Sequence, residues 1–350
     1  MYPALAVHSA LMAMSSNVQT LWVGSAGGME EGLVDQAGLS YRAIPAAGVH
    51  GVAMRKLPNN LIQLARGLVA SYRILREFRP DVLFFTGGYV AGPMAFAGQR
   101  FPTLVYVPDI EPGMALKFIA RMADRITVTT QESQVYFKKD VIVTGYPLRA
   151  ELRTWNRKAA RAALGLSSRR PTLLVFGGSQ GARSLNMAVL ERLPALLEMA
   201  EVIHITGRLD WEEVEKVAAD LNTRLQKRYH RFTYLHEMGK ALAASDVVVS
   251  RAGASSLGEF PFFGIPAILV PYPHAWRYQK VNAEHLARHG AAIVLVDSRI
   301  KEDLLPTVEA LLRDSGRRQR MQAAMRKLAH PKAAQEIASQ LLELSGEISL

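Results

Sequence analysis

A chain of 350 residues with no cysteine and a formal net charge of +11 holds no disulfide framework and no thiolate metal site. It is long for one core, so two domains are expected. It has no apolar run near the ~20 residues that span a bilayer and no secretory n-region or h-region, which suggests a cytosolic protein.

The positive charge predicts an anionic partner. Nucleic-acid motifs are missing, and the aromatics sit inside apolar runs instead of among the basic residues, so an anionic membrane surface is expected and nucleic acid is not.

In chain order, residues 3–14 read as an apolar helix, Val18 to Val23 as a strand, Met29 to Gln36 as a helix and Leu39 to Ile44 as a strand. A loop from Gly48 carries His50, Arg55 and Lys56. Pro58 suits the first turn of a long helix that runs to about Phe78 and stops before Pro80. Asp81 to Phe85 is a strand, followed by a Gly87-Gly88 turn and a helix. Strands Thr103 to Val107 and Ile126 to Thr129 flank a helix, Met114 to Ala123, and Val141 to Thr144 closes the first half. After a linker near Pro147 to Trp155, strands are expected near 172–176, 202–206, 231–235, 246–250, 267–270 and 292–296. Helices over 301–313, 316–329 and 332–346 finish the chain. The alternation predicts an α/β protein of two doubly wound, parallel-sheet, Rossmann-like domains. Their expected extents are 1–148 and 149–330, with a last helix in 331–350.

Two stretches carry the chemistry. Thr172 to Phe176 reads as a buried strand running into Gly177-Gly178-Ser179-Gln180-Gly181-Ala182-Arg183, then a helix through about Glu198. Glycines let backbone approach a phosphate, and the Ser179 hydroxyl can donate to it. The run is neither a P-loop nor a GxGxxG fingerprint. Val247 to Val249 is a second buried strand, followed by a small-residue turn, Ser250 to Ser256, and a short helix, Leu257 to Phe263. Helix-start N–H groups make an anion site, and Glu259, one turn in, can accept both hydroxyls of a ribose. Gln279 and Asn282 lie three apart on an expected helix and can share a face. His230, His236 and Glu237 do not form an HExxH helix, so no metal is expected. His8, His204 and His285 lie in apolar patterns and read as structural, and His274 as a loop residue or a site residue.

Together these stretches resemble a family. GGSQGARSLN from Gly177, SRAGASSLGE from Ser250 and HAWRYQKVNA from His274 are similar, in order and spacing, to the MurG family. So are Tyr2 to Ala6, Gly87 to Pro93 and Gly145 to Arg149. That family comprises the N-acetylglucosaminyltransferases that make lipid II for peptidoglycan. The resemblance covers nearly the whole chain and implies the GT-B architecture, with the last helix crossing back onto the first domain. It implies inverting transfer of N-acetylglucosamine from UDP-N-acetylglucosamine to an undecaprenyl-pyrophosphate-muramyl-pentapeptide. The enzyme would sit peripherally at the cytoplasmic face of the membrane. The UDP-sugar is a substrate, and no cofactor is implied.

The donor-binding residues implied are Arg149, Ser179, Leu235, Ala254, Ser255 and Ser256, with Leu257, Gly258, Glu259, Tyr278, Gln279 and Asn282. On the acceptor side stand Gly87, Gly88, Tyr89 and Asp109. The family carries a glycine-rich loop ending in histidine just before the position of Met1, and a doubly wound domain normally opens on a strand. A mis-chosen start is the simplest explanation, beside a fragment or a divergent relative. The helix 3–14 would then pack beside an unfilled sheet slot. The general base is unassigned: Asp109, where the family has asparagine, is a substitute base or an ordinary loop residue. Residues 1–350 alone are therefore expected to turn over little. The alternatives are another UDP-sugar transferase or an epimerase on the same scaffold, or a non-catalytic nucleotide-sugar-binding relative.

Overall fold

The computed structural model describes residues 1–46, 57–88, 90–178, 181–274 and 278–347. The chain forms two compact units, one of Met1–Pro147 with Lys332–Leu350 and one of Leu148–Pro331.

In the first unit, strands β1 (Trp22–Ser25) and β2 (Tyr41–Ile44) form a parallel pair. Strands β3 (Leu83–Phe85), β4 (Thr103–Val107), β5 (Arg125–Val128) and β6 (Ile142–Val143) form a separate parallel sheet in sequence order. β1 and β3 do not pair, so the unit holds two open sheets. Strand β1 begins at Trp22, four residues after the expected Val18, because the ladder to β2 starts at the Trp22–Tyr41 pair. β4 is buried throughout, as an inner strand covered on both faces must be. One face meets the helices Ala91–Ala97 and Met114–Ala120 through Val105 and Val107. The other packs Leu104 and Tyr106 against Ala6 and Val7 of helix Tyr2–Met14 and Ile337 and Leu341 of helix Ala333–Ser345. Arg125 secures that last helix through Glu343 at 2.5 Å and Gln340 at 2.8 Å.

In the second unit, strands β7 (Thr172–Phe176), β8 (Glu201–Ile205), β9 (Tyr229–Phe232), β10 (Val247–Ser250), β11 (Ala267–Leu269) and β12 (Ala292–Val294) make one parallel sheet. Its order is β12-β11-β10-β7-β8-β9. The expected strand at 231–235 lies two residues earlier, since Tyr229 turns into the core and pairs with Val202. The helix expected from Arg183 to Glu198 is two helices, Arg183–Glu191 and Leu193–Met199. Pro194 in the first turn of the second removes the donor that a continuous helix would need there. Asn156, Asn222 and Asp314 cap the helices that follow them, each accepting a backbone N–H at 2.8–3.0 Å.

Candidate functional site

β7, the first strand of the second unit, lies between β8 and β10. The chain builds outward from it in one direction through β8 and β9, then returns to its other side with β10, β11 and β12. The carboxyl ends of β7 and β10 are therefore a topological switch point, where open α/β sheets bind ligands. The pairing Val175↔Val249 and Phe176↔Ser250 sets the two strand ends level. Gly177 to Ala182 leaves one, and Arg251 to Ser255 leaves the other.

The first turn closes tightly. Gly181 has φ +80°, and a Cβ there would stand 2.2 Å from the Thr206 carbonyl oxygen, so only glycine fits. Ser179 and Gln180 lie outside the described residues. In the second turn, the Ser256 hydroxyl donates to Gly253 O at 2.6 Å and shapes the turn. The N–H groups of Ser256, Leu257 and Gly258 donate to Gly253, Ala254 and Ser255 carbonyls at 3.0–3.1 Å. The amides of Ala254 and Ser255 donate to no described residue, and both residues are half-buried. Leu257 and Gly258 are buried in the helix Ser256–Phe263.

Glu259 follows one turn in. Part of the residue reaches solvent, but burial pushes its carboxyl up to about 7, against the opposing pull of the Arg149 guanidinium. Arg149 lies just before the 3-10 turn Ala150–Thr154 and pairs with Glu151 at 3.2 Å. Leu235 is half-buried beyond β9. Tyr278 and Gln279 open the helix Tyr278–Arg288 and are half-buried. Gln279 Oε1 accepts from the Tyr272 N–H at 2.9 Å, which leaves its amide NH2 unengaged by described residues. Asn282 does not share that openness: it is buried, and its Nδ2 donates to Ala252 O at 3.1 Å, tying the helix to the second turn. His274 is exposed, its ring edge-on to Tyr272.

In the first unit, Gly87 and Gly88 have φ of +114° and +96° in the turn after β3, which fits their glycine identity. Tyr89 lies outside the described residues. Asp109 is half-buried in the bend after β4. Burial above all, then Tyr146 and to a lesser degree the Asp109 charge, raises the fully buried Tyr106 phenol well above its ordinary value.

Two clusters under the switch point escaped the sequence reading. Asn186 gives its two N–H bonds to Thr206 O and Asp210 Oδ2, both at 2.8 Å. Its Oδ1 is then an acceptor, so His204 Nε2–H donates to it at 3.1 Å, and Tyr229 O–H donates to His204 Nδ1 at 2.8 Å. Arg183 closes the chain on Asp210 Oδ1 at 2.5 Å. The second cluster joins Arg251, Ser184 and Asp297. Arg183, Ser184 and Asn186 stood inside one quoted motif and Arg251 inside the other, and His204 read as structural; Thr206, Asp210, Tyr229 and Asp297 carried no signal.

Burial holds the His204 imidazole down to about 3, with Asp210 opposing. Its folded pKa lies below the unfolded value of 6.5, so the unfolded chain binds the extra proton between these limits. Stability from this residue is full above about pH 6.5 and falls as pH drops, by about 1.4 kcal/mol per unit. A His204→Gln variant, less stable at neutral pH, is expected to lose this slope. Urea midpoints from pH 7 to 4 check it; parallel curves for parent and variant would count against it.

The glycosyltransferase family 28 N-terminal domain model matches residues 1–128, and the family 28 C-terminal domain model matches residues 172–337. A UDP-N-acetylglucosamine–N-acetylmuramyl-(pentapeptide) pyrophosphoryl-undecaprenol N-acetylglucosamine transferase from Roseiflexus sp. (strain RS-1) is 39% identical, covering 96% of this chain and 90% of its own. The enzyme of that name from Desulforamulus reducens is 36% identical over 96% of this chain and 93% of its own. The crystal structure of Acinetobacter baumannii MurG superposes with a TM-score of 0.76 at 25% identity, covering 98% of this chain and 95% of that one. The two domain matches, the near full-length relatives and the shared α/β fold agree: the chain belongs to glycosyltransferase family 28, in its MurG branch.

Proposed function

We propose that this protein transfers N-acetylglucosamine from UDP-N-acetylglucosamine to a polyprenyl-pyrophosphate-linked muramyl-pentapeptide, with inversion at the anomeric carbon. The observation that carries the reading is the pair of small-residue turns set level at the β7/β10 switch point, with Glu259 one turn into the following helix. In this reading the amides of Ala254 and Ser255, the Ser179 and Ser255 hydroxyls and Arg149 take the charge that develops on the departing diphosphate. Glu259 accepts the ribose hydroxyls, and the Gln279 amide meets the donor sugar. Leu235 and Tyr278 border the uridine, and Gly87 to Tyr89 receive the acceptor pyrophosphate. The acceptor hydroxyl attacks the anomeric carbon as the bond to UDP breaks, and its proton passes to a base that remains unassigned. Calorimetry with UDP-N-acetylglucosamine, UDP-glucose and UDP, then UDP release in the presence of the lipid acceptor, tests this. Selective donor binding and slow, acceptor-dependent release are expected. No affinity for UDP would sink the reading, and conversion of the sugar without acceptor would favour an epimerase.

The acceptor's lipid calls for a membrane surface. No helix among the described residues is long and apolar enough to cross a bilayer. Helix Leu57–Phe78 instead exposes Leu61 (53%), Ile62 (52%), Val69 (53%) and Tyr72 (50%). The exposed apolar residues run the length of the helix, because among its described residues only Gly67, Ser71, Ile74 and Leu75 turn fully inward. Arg66, Arg73, Arg76 and Arg79 are exposed among them, and Arg55 and Lys56 lie outside the described residues. Phe96, Met114 and Phe118 add exposed apolar surface on the two helices that follow. An apolar face rimmed by arginine suits the headgroup region of an anionic leaflet, and each basic residue contributes about 1 kcal/mol there. Changing Arg73, Arg76 and Arg79 to glutamine is expected to release the protein from anionic vesicles and leave UDP binding intact. Sedimentation at low and high salt reads this out; salt-insensitive binding equal to the parent's would remove the docking face.

A further inference from the structure

Arg251 is the first residue after β10, and only 9% of it is exposed. Its guanidinium donates in several directions at once. Nη1 reaches Asp297 Oδ1 at 2.5 Å and Val270 O at 3.0 Å, and Nη2 reaches Ser184 Oγ at 2.8 Å. The Ser184 hydroxyl donates in turn to Asp297 Oδ1 at 2.7 Å, closing a triangle. The Tyr272 ring lies 5.3 Å from the guanidinium carbon, and the Tyr272 N–H holds Gln279. Ser184 is in the first turn of helix Arg183–Glu191, directly behind the glycine turn. One side chain therefore ties together the glycine turn after β7, the small-residue turn after β10 and the segment that leads to Gln279.

We propose that Arg251 is a positioning residue, with Asp297 and Ser184 as its partners, that holds the two turns at the spacing a nucleoside diphosphate requires. The proposal rests on the donor-site reading above. A group that spans both turns, the diphosphate, depends on their spacing, whereas the nucleoside, which Glu259 grips on one helix, does not. The planar guanidinium fork is suited to this, because its two ends serve different elements. A lysine ammonium carries the same charge as a single point and cannot reproduce both bonds.

The experiment compares uridine with UDP by calorimetry, in the parent, Arg251→Met, Arg251→Lys and Ser184→Ala, with melting curves to verify the fold. Arg251→Met is expected to lose about tenfold or more in UDP affinity while uridine changes by less than about twofold. Arg251→Lys should lose nearly as much, because its charge is kept but its fork is not. Ser184→Ala, which leaves the charge untouched, should lose about threefold for UDP and nothing for uridine. If Arg251→Met fails to fold, the lysine and serine variants decide. Parent-like UDP affinity in both, or equal losses for uridine and UDP, would overturn the proposal while the donor site stands. A parent that binds no UDP would overturn the donor-site reading and the proposal with it.

Discussion

Replacing Glu259 by alanine is expected to weaken UDP binding by about 1.5–3 kcal/mol, roughly ten- to a hundredfold, the loss of charge-assisted hydrogen bonds from the ribose. The carboxyl is pushed up to about 7 by its burial. Ribose hydroxyls donate to a carboxylate, so the ligand selects the ionised form. Affinity should therefore rise with pH until it levels off above about 7, changing by up to about tenfold per unit below that point, with a proton released on binding at neutral pH. Uridine is the control, because it lacks the phosphate that itself titrates near pH 6. Glu259→Gln should flatten the profile. The stability effect has the opposite sign: the folded pKa lies above the ordinary 4.5, so the cost of ionising Glu259 is absent below about 4.5 and grows as pH rises through about 7. Unchanged UDP affinity in a folded Glu259→Ala protein would remove this residue from the site.

The second large effect is on stability. Both Asp246 carboxylate oxygens accept from Arg157 Nη2, at 2.8 and 2.9 Å; Asp246 also takes the Thr172 N–H at 2.8 Å and lies 3.5 Å from Arg161. Arg161 is itself buried and donates to Thr172 Oγ1 at 2.8 Å and to the carbonyls of Ala244 and Arg170 at 3.0 and 2.6 Å. Asp246→Ala leaves that guanidinium and the first amide of β7 without their anion. Removing one partner of a buried pair costs about 3–5 kcal/mol, and the partial exposure of Asp246 argues for about 3. The midpoint of denaturant unfolding should fall accordingly; a shift below about 1 kcal/mol would show that water replaces the carboxylate.

The parallel α/β plan was legible because strands such as Thr172–Phe176 and Val247–Ser250 are apolar on both faces and separated by helix-length segments. The two turns were legible because small residues directly after such strands have few other uses. What the sequence hid is non-local. Arg251 stands inside a quoted motif, but nothing in the chain marks Asp297, 46 residues later, as its anion. The His204–Asn186 contact likewise joins a strand to a helix 18 residues earlier. Gln279 and Asn282 looked equivalent by spacing. Packing separates the buried tie from the residue whose amide no described residue engages. The break at Arg192 could have been read from Pro194, since proline favours a helix's first turn over its interior.

The helix Ala333–Ser345 completes the core that Ala6, Val7, Leu104 and Tyr106 begin. The unit that starts the chain therefore also needs its last residues, while Leu148–Pro331 is one uninterrupted stretch. Domains fold as the chain emerges from the ribosome, usually N-terminal first. Here the order is partly reversed: once Pro331 has emerged the second unit has all its residues, while the first must wait for the helix that follows it out of the exit tunnel. During that interval the apolar faces of Tyr2–Met14 and of β4 are uncovered, so a nascent chain tethered with Pro331 just outside the tunnel should engage holding chaperones through its beginning and not through its more recently made part.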